Sequence, residues 1–151
     1  MPTTIKRVLL GLFIGFLIMQ FFQIDKTQPP SDPTDDFISQ LSPPDQVADL
    51  LKRSCYDCHS YKTEYPWYTS VAPLSWWIGH HIKEGREHLN FSEWGKYTDR
   101  RKRHKLEECW EEVEEGLMPL SSYLWVHGEA KLSQEQASLL IDWFKEQENA
   151  F

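Results

Sequence analysis

Four stretches of this chain repeat apolar residues at helical spacing, and a fifth is apolar almost throughout. From Val8 to Ile24 only Gly11, Gly15, Gln20 and Gln23 interrupt a run of 17 residues. Further on, Val47, Leu50 and Leu51 share one helix face, and the same face continues through Ser54, Cys55 and Cys58. A second stripe holds Leu74, Trp77, Ile78, His81, Ile82 and Leu89, with Pro73 at a good first-turn position and Ser70 upstream as a cap. A third helix is expected over Asp99–Glu115, stopped by Gly116. The last starts at Ser133, where Gln136 completes a capping box, and presents Ala137, Leu140, Ile141 and Phe144. No useful β-alternation and no hairpin signal intervene, so the fold class is all-α. Residues 60–68 and 90–97 read as loops.

The apolar N-terminal run follows Lys6-Arg7 and lacks a small-residue cleavage pattern, since Phe21-Phe22-Gln23-Ile24 follows. It reads as one uncleaved transmembrane helix over residues 1–25, short for a bilayer, with a cytoplasmic N-terminus; a cleaved signal peptide, which opens the same way, is the alternative. Lys26–Pro44 holds five of the nine prolines together with Ser, Thr and Asp, a polar, semi-rigid linker. Residues 45–151 then form one domain. That domain carries 13 Lys/Arg against 19 Asp/Glu, and a net acidic exported domain is a poor nucleic-acid binder.

Cys55-Tyr56-Asp57-Cys58-His59 changes the picture most. C-x-x-C-H is the attachment site of a c-type haem. Each thiol adds its S–H across a porphyrin vinyl group, and residues three apart on a helical turn meet one macrocycle edge. His59 then lies under the iron as proximal ligand. The helix face that seeks the core is also the one that delivers both thiols.

A sixth iron ligand is sought among Met and His. Beyond the anchor the one methionine is Met118, in Gly116-Leu117-Met118-Pro119, where Pro119 holds its predecessor in extended geometry. His81, on an apolar helix face, is the runner-up. Thioredoxin-like use of C-x-x-C needs a βαβ context that is missing, and zinc sites pair two separated ligand clusters. Cys109 falls on the stripe of Leu106, Trp110, Val113 and Leu117 and reads as a buried, inert thiol. The basic run Arg100–Lys105 reads as a solvated face, with docking of an acidic redox partner as the functional alternative. Trp67, Tyr68, Trp76 and Arg86 are candidate donors to haem propionates, and a carbonyl of Pro66 or Pro73 is a candidate for orienting the His59 ring.

These residues resemble a known family. The match runs through Ser54–Ser60, Thr63-Glu64-Tyr65-Pro66-Trp67-Tyr68, Pro73–Trp77, His81–Arg86, Leu89-Asn90-Phe91-Ser92-Glu93-Trp94, Met118-Pro119 and Leu132-Ser133. The domain is similar to the bacterial haem-binding domain family of small, membrane-anchored mono-haem c-type cytochromes over about residues 45–147. The resemblance implies one covalent haem c on Cys55 and Cys58 with His59 as proximal ligand. It also implies a cytochrome-c-like helical domain, in which the first and last helices cross, here Val47–Leu51 against Leu140–Phe144. The Trp- and His-rich middle departs from small electron carriers and leaves Met118, His81 or nothing at the sixth position.

The functional expectation is single-electron transfer with redox partner proteins, by a single-pass protein of the bacterial inner membrane whose domain faces the periplasm. It is an electron carrier rather than an enzyme, and no catalytic residue is assigned. The alternative is a haem-dependent sensor or peroxidase-like protein with a labile or absent distal ligand.

Overall fold

Both ends of the main helical pair are written in local sequence. In the computed structural model, which describes residues 2–151, α1 spans Thr3–Met19, α2 Phe37–Leu41, α3 Asp45–Ser54, α4 Tyr56–His59, α5 Leu74–His88, α6 Asp99–Glu114 and α7 Gln134–Glu148. The described residues contain no strand. Ser133 and Gln136 form the expected reciprocal capping box at the start of α7. Gly116 terminates α6 at φ +70°, with Leu117 N–H donating to Glu112 O (2.9 Å) and Gly116 N–H to Val113 O (3.1 Å). That is a Schellman motif, and its left-handed residue favours glycine.

Helix α6 packs along α7, and α3 also contacts α7. Val47, Leu50 and Leu51 meet Leu140, Trp143 and Phe144 in one core with Leu106. The loop expected over 90–97 instead forms a 3₁₀ helix, Phe91–Lys96, with Phe91 and Trp94 fully buried. Phe37, in the stretch expected to be a polar linker, is 0 % exposed. Its ring lies 4.6 Å from Phe91, 4.7 Å from Trp94 and 5.8 Å from Trp143. A single phenylalanine among prolines and aspartates carries no periodic signal, so only the folded chain reveals its role.

The expected transmembrane helix over residues 1–25 is not supported. Helix α1 has 17 residues, and no described helix is long and apolar enough to cross a membrane. The apolar run outlasts the helix because Gln20 turns the chain back. Its side-chain amide donates to Phe16 O (2.9 Å) and to Ala72 O (3.0 Å), and residues 21–28 then follow the domain surface.

Part of the basic run on α6 makes contacts within the molecule. Arg101 stacks over Tyr97 at 3.9 Å, Lys102 is buried, Lys105 pairs with Glu108, and Arg103 pairs with Glu148 at 3.6 Å. Arg100, Arg101, Arg103 and His104 nevertheless remain exposed, as a solvated face requires.

Candidate haem-attachment site

Helix α3 does not run through the cysteine motif as one helix. It stops at Cys55, whose backbone leaves the helical region at φ −128°. A separate turn, α4, then closes on the Cys55 carbonyl, which accepts from Cys58 N–H (3.2 Å) and His59 N–H (3.0 Å). Cys55, Cys58 and His59 are therefore gathered on one short turn at the end of a core helix.

The two intervening residues hold that turn from opposite sides. The Tyr56 ring stacks on Phe91 (5.1 Å, 23°), and its hydroxyl donates to Asp36 Oδ1 (3.0 Å). Asp36 is a buried carboxylate that also receives Ile38 N–H (3.1 Å) and Lys62 Nζ (2.7 Å). Such a charge is tolerable inside a protein only when paired and hydrogen-bonded. On the other side, the Asp57 carboxylate accepts from Tyr123 Oη (2.7 Å) and Glu64 N–H (2.9 Å). Burial and the neighbouring carboxylates raise both tyrosines, so each stays a donor at neutral pH.

Gly85 brings α5 against the motif. A Cβ there would lie 2.9 Å from the Cys58 carbonyl oxygen and 3.4 Å from Cys58 Cβ. This approach sets His59. Its Nδ1 is 3.0 Å from Gly85 O and 3.1 Å from Leu89 O. Carbonyls only accept, so Nδ1 carries the proton, and in the neutral ring Nε2 keeps its lone pair. Two carbonyls at the C-terminal end of α5 thus take the place expected for a proline carbonyl. Gly85 O also accepts Leu89 N–H (2.9 Å), so the His59 contact uses its second lone pair.

Burial pushes the His59 pKa down from its ordinary value, against the two carbonyl contacts that raise it. The folded state therefore prefers neutral His59, and the unfolded chain takes up the proton first on acidification. Stability linked to His59 is complete above roughly pH 6.5 and falls below it. For haem-free protein, melting temperature should decline between pH 7 and 5, and His59→Asn should flatten that slope. Parallel slopes would mean His59 is not buried as described.

Burial also raises the thiols, Cys55 to about 12 and Cys58 to about 11. Such thiols hold little thiolate at neutral pH and are poor in thiol–disulfide exchange. Cys109 is a free thiol, half-buried against the core and likewise raised by burial.

Met118 lies just beyond the α6 stop, its N–H donating to Glu112 O (3.1 Å). The chain that follows returns to the motif, through Tyr123 to Asp57 and through Ser54 Oγ to Ala130 O (2.9 Å). His81 sits on α5 with Nδ1 donating to Trp77 O (2.9 Å) and its ring 4.3 Å from Trp77. Of the candidate propionate donors, Arg86 gives Nε to Ser60 O and Nη2 to Thr63 Oγ1, both at 2.8 Å. Tyr68 bonds His127, and Trp76 donates to Phe22 O. These three are occupied within the protein, and Trp67 is exposed.

The donor set fits a haem. Among the described residues, no group of three or more His, Cys, Asp or Glu is placed to hold a metal ion. One imidazole with a free Nε2, beside two neutral thiols, suits a metal that brings its own four equatorial donors. Along the face of α5 that meets Cys58, the positions before Gly85 are His81, Ile78 and Leu74, none of them buried. They leave a partly apolar strip leading away from the motif.

No curated protein and no solved structure matches the chain. The family model described as a haem-binding domain matches residues 14–146, from within α1 almost to the end of α7. The match covers most of the chain and encloses the turn built above, so this protein belongs to the haem-binding domain family.

Proposed function

We propose that this protein is an exported mono-haem c-type cytochrome that transfers single electrons, held at a membrane by α1. Cys55 and Cys58 carry the haem through thioethers, His59 is the proximal iron ligand and Met118 the sixth. The observation that carries this reading is the placement of His59 Nδ1 between the Gly85 and Leu89 carbonyls. It fixes the ring, selects the tautomer and raises the basicity of Nε2. Bound haem supplies a one-electron Fe³⁺/Fe²⁺ couple, and electron transfer then needs no protein base or nucleophile.

Met118 is favoured over His81 by direction. The two carbonyls put the C-terminal end of α5 behind the His59 ring, on the side away from Nε2. A sixth ligand approaches from the opposite haem face. His81 belongs to that same helix and its Nδ1 is tied to Trp77, whereas Met118 rides on a separate strap.

The test is expression with a working c-type maturation apparatus. The purified protein should exceed its polypeptide mass by one haem, and its colour should survive acid acetone. Ser at both Cys55 and Cys58 should give colourless protein. Pale wild-type protein of plain polypeptide mass would overturn the proposal. Met118→Ala should abolish the weak long-wavelength charge-transfer band of Met–iron bonding and open the reduced protein to carbon monoxide. Carbon monoxide binding to reduced wild-type protein at neutral pH would instead favour the sensor or peroxidase-like reading.

A further inference from the structure

We infer that the domain lies flat on a lipid bilayer through an aromatic collar at the exit of α1, rather than swinging on a free linker. The inference rests on the membrane tether proposed above and says how the tethered domain is oriented. Helix α1 has no buried residue, and its large apolar side chains from Ile5 to Ile18 are exposed. At about 1.5 Å per residue it is about 25 Å long, against a hydrocarbon core of about 30 Å. Alone it falls short.

The residues that follow α1 add exposed apolar surface at its exit. Phe21 is 85 % exposed, and Phe22 is exposed beside it. The chain there is fastened to the domain, not loose. Gln20 and Ala72 exchange two hydrogen bonds, Nε2 to Ala72 O at 3.0 Å and Ala72 N–H to Oε1 at 2.9 Å. Trp76 Nε1 donates to Phe22 O, Lys26 Nζ to Ser70 Oγ, and Gln28 Nε2 to Thr63 O (2.8 Å). Ile24 presses on Gly79, where a Cβ would come within 2.8 Å of its Cγ2.

This strap sets exposed apolar side chains of the domain beside the helix exit. Leu74, Trp76 and Trp77 are all exposed on the first turn of α5, directly after the strapped Ala72. Tryptophan and phenylalanine at the end of an apolar helix have the composition of a membrane–water interface. An exposed patch continuous with an uncovered apolar helix calls for one common partner, and a bilayer covers both. A collar at headgroup depth also offsets the short helix. The family match begins at Ile14, so helix exit, strap and domain fall within one unit.

The test uses the full haem-loaded chain in phosphatidylethanolamine–phosphatidylglycerol vesicles containing a lipid with a photoactivatable group near the headgroup. Cross-links are mapped by mass spectrometry. Labelling is expected in α1, at Phe21–Phe22 and in the Leu74–Trp77 peptide, with none in α6 or α7. Gln20→Ala, which removes both bonds to Ala72, should reduce Leu74–Trp77 labelling several-fold while α1 labelling stays. Labelling confined to α1 would leave the tether standing and overturn the docked orientation. So would unchanged Leu74–Trp77 labelling in Gln20→Ala. Protein–protein cross-links through Leu74–Trp77 would assign the face to a second copy and overturn the inference. No lipid labelling anywhere would remove tether and collar together.

Discussion

Phe37→Ala is expected to lower the melting temperature by more than about 10 °C. The ring is fully buried and packs on Phe91, Trp94, Trp143 and Phe144. Removing a core phenylalanine costs about 3–5 kcal/mol in lost burial and residual cavity, a large share of the roughly 5–15 kcal/mol that holds a domain together. The effect reaches the motif, because Phe91 also stacks on Tyr56 and Asp36 precedes Phe37. Thermal unfolding by circular dichroism measures it, with exposed Trp67→Ala as the control. A drop no larger than the control's would mean residues 33–41 are a linker after all.

Gly85→Ala is expected to destabilise the protein by about 1–3 kcal/mol and to reduce haem loading. Two effects oppose each other here. Alanine inside a helix is favoured over glycine by about 0.8–1.0 kcal/mol. Against that, the new Cβ would sit 2.9 Å from the Cys58 carbonyl oxygen. The obstacle is backbone within the motif turn, which cannot swing aside as a side chain does, so the clash wins. Helix α5 must withdraw, and the carbonyls of Gly85 and Leu89 then lose their hold on His59 Nδ1. Haem absorbance per mole of protein and melting temperature read the two consequences. A more stable variant with full haem content would show that α5 does not press on the motif.

The helices were legible because their signals are local. The Ser133 box, the Gly116 stop and the stripe through Val47, Leu50 and Leu51 each lie within a turn or two of what they determine. The trio Cys55, Cys58 and His59 was legible for the same reason. The residues that support it come from afar. Asp36 meets Tyr56 across 20 positions and Tyr123 meets Asp57 across 66. The bonds to His59 come from backbone carbonyls, which every residue carries, so no side-chain pattern could announce them. Phe91 and Trp94 were read as loop because a short 3₁₀ segment buries its aromatics without a helical period.

The sequence by itself determined the helical class, the stop of α6, the start of α7, and the trio of two thiols and an imidazole. Tertiary structure alone decided which way that imidazole faces, that Phe37 belongs to the core, and that the apolar run ends as a helix at Met19 and continues as a strap. Hydrogen bonding within a turn depends on near neighbours in the chain. The approach of α5 to Cys58, or of Gln20 to Ala72, depends on how whole helices pack, and that is settled only when the core closes.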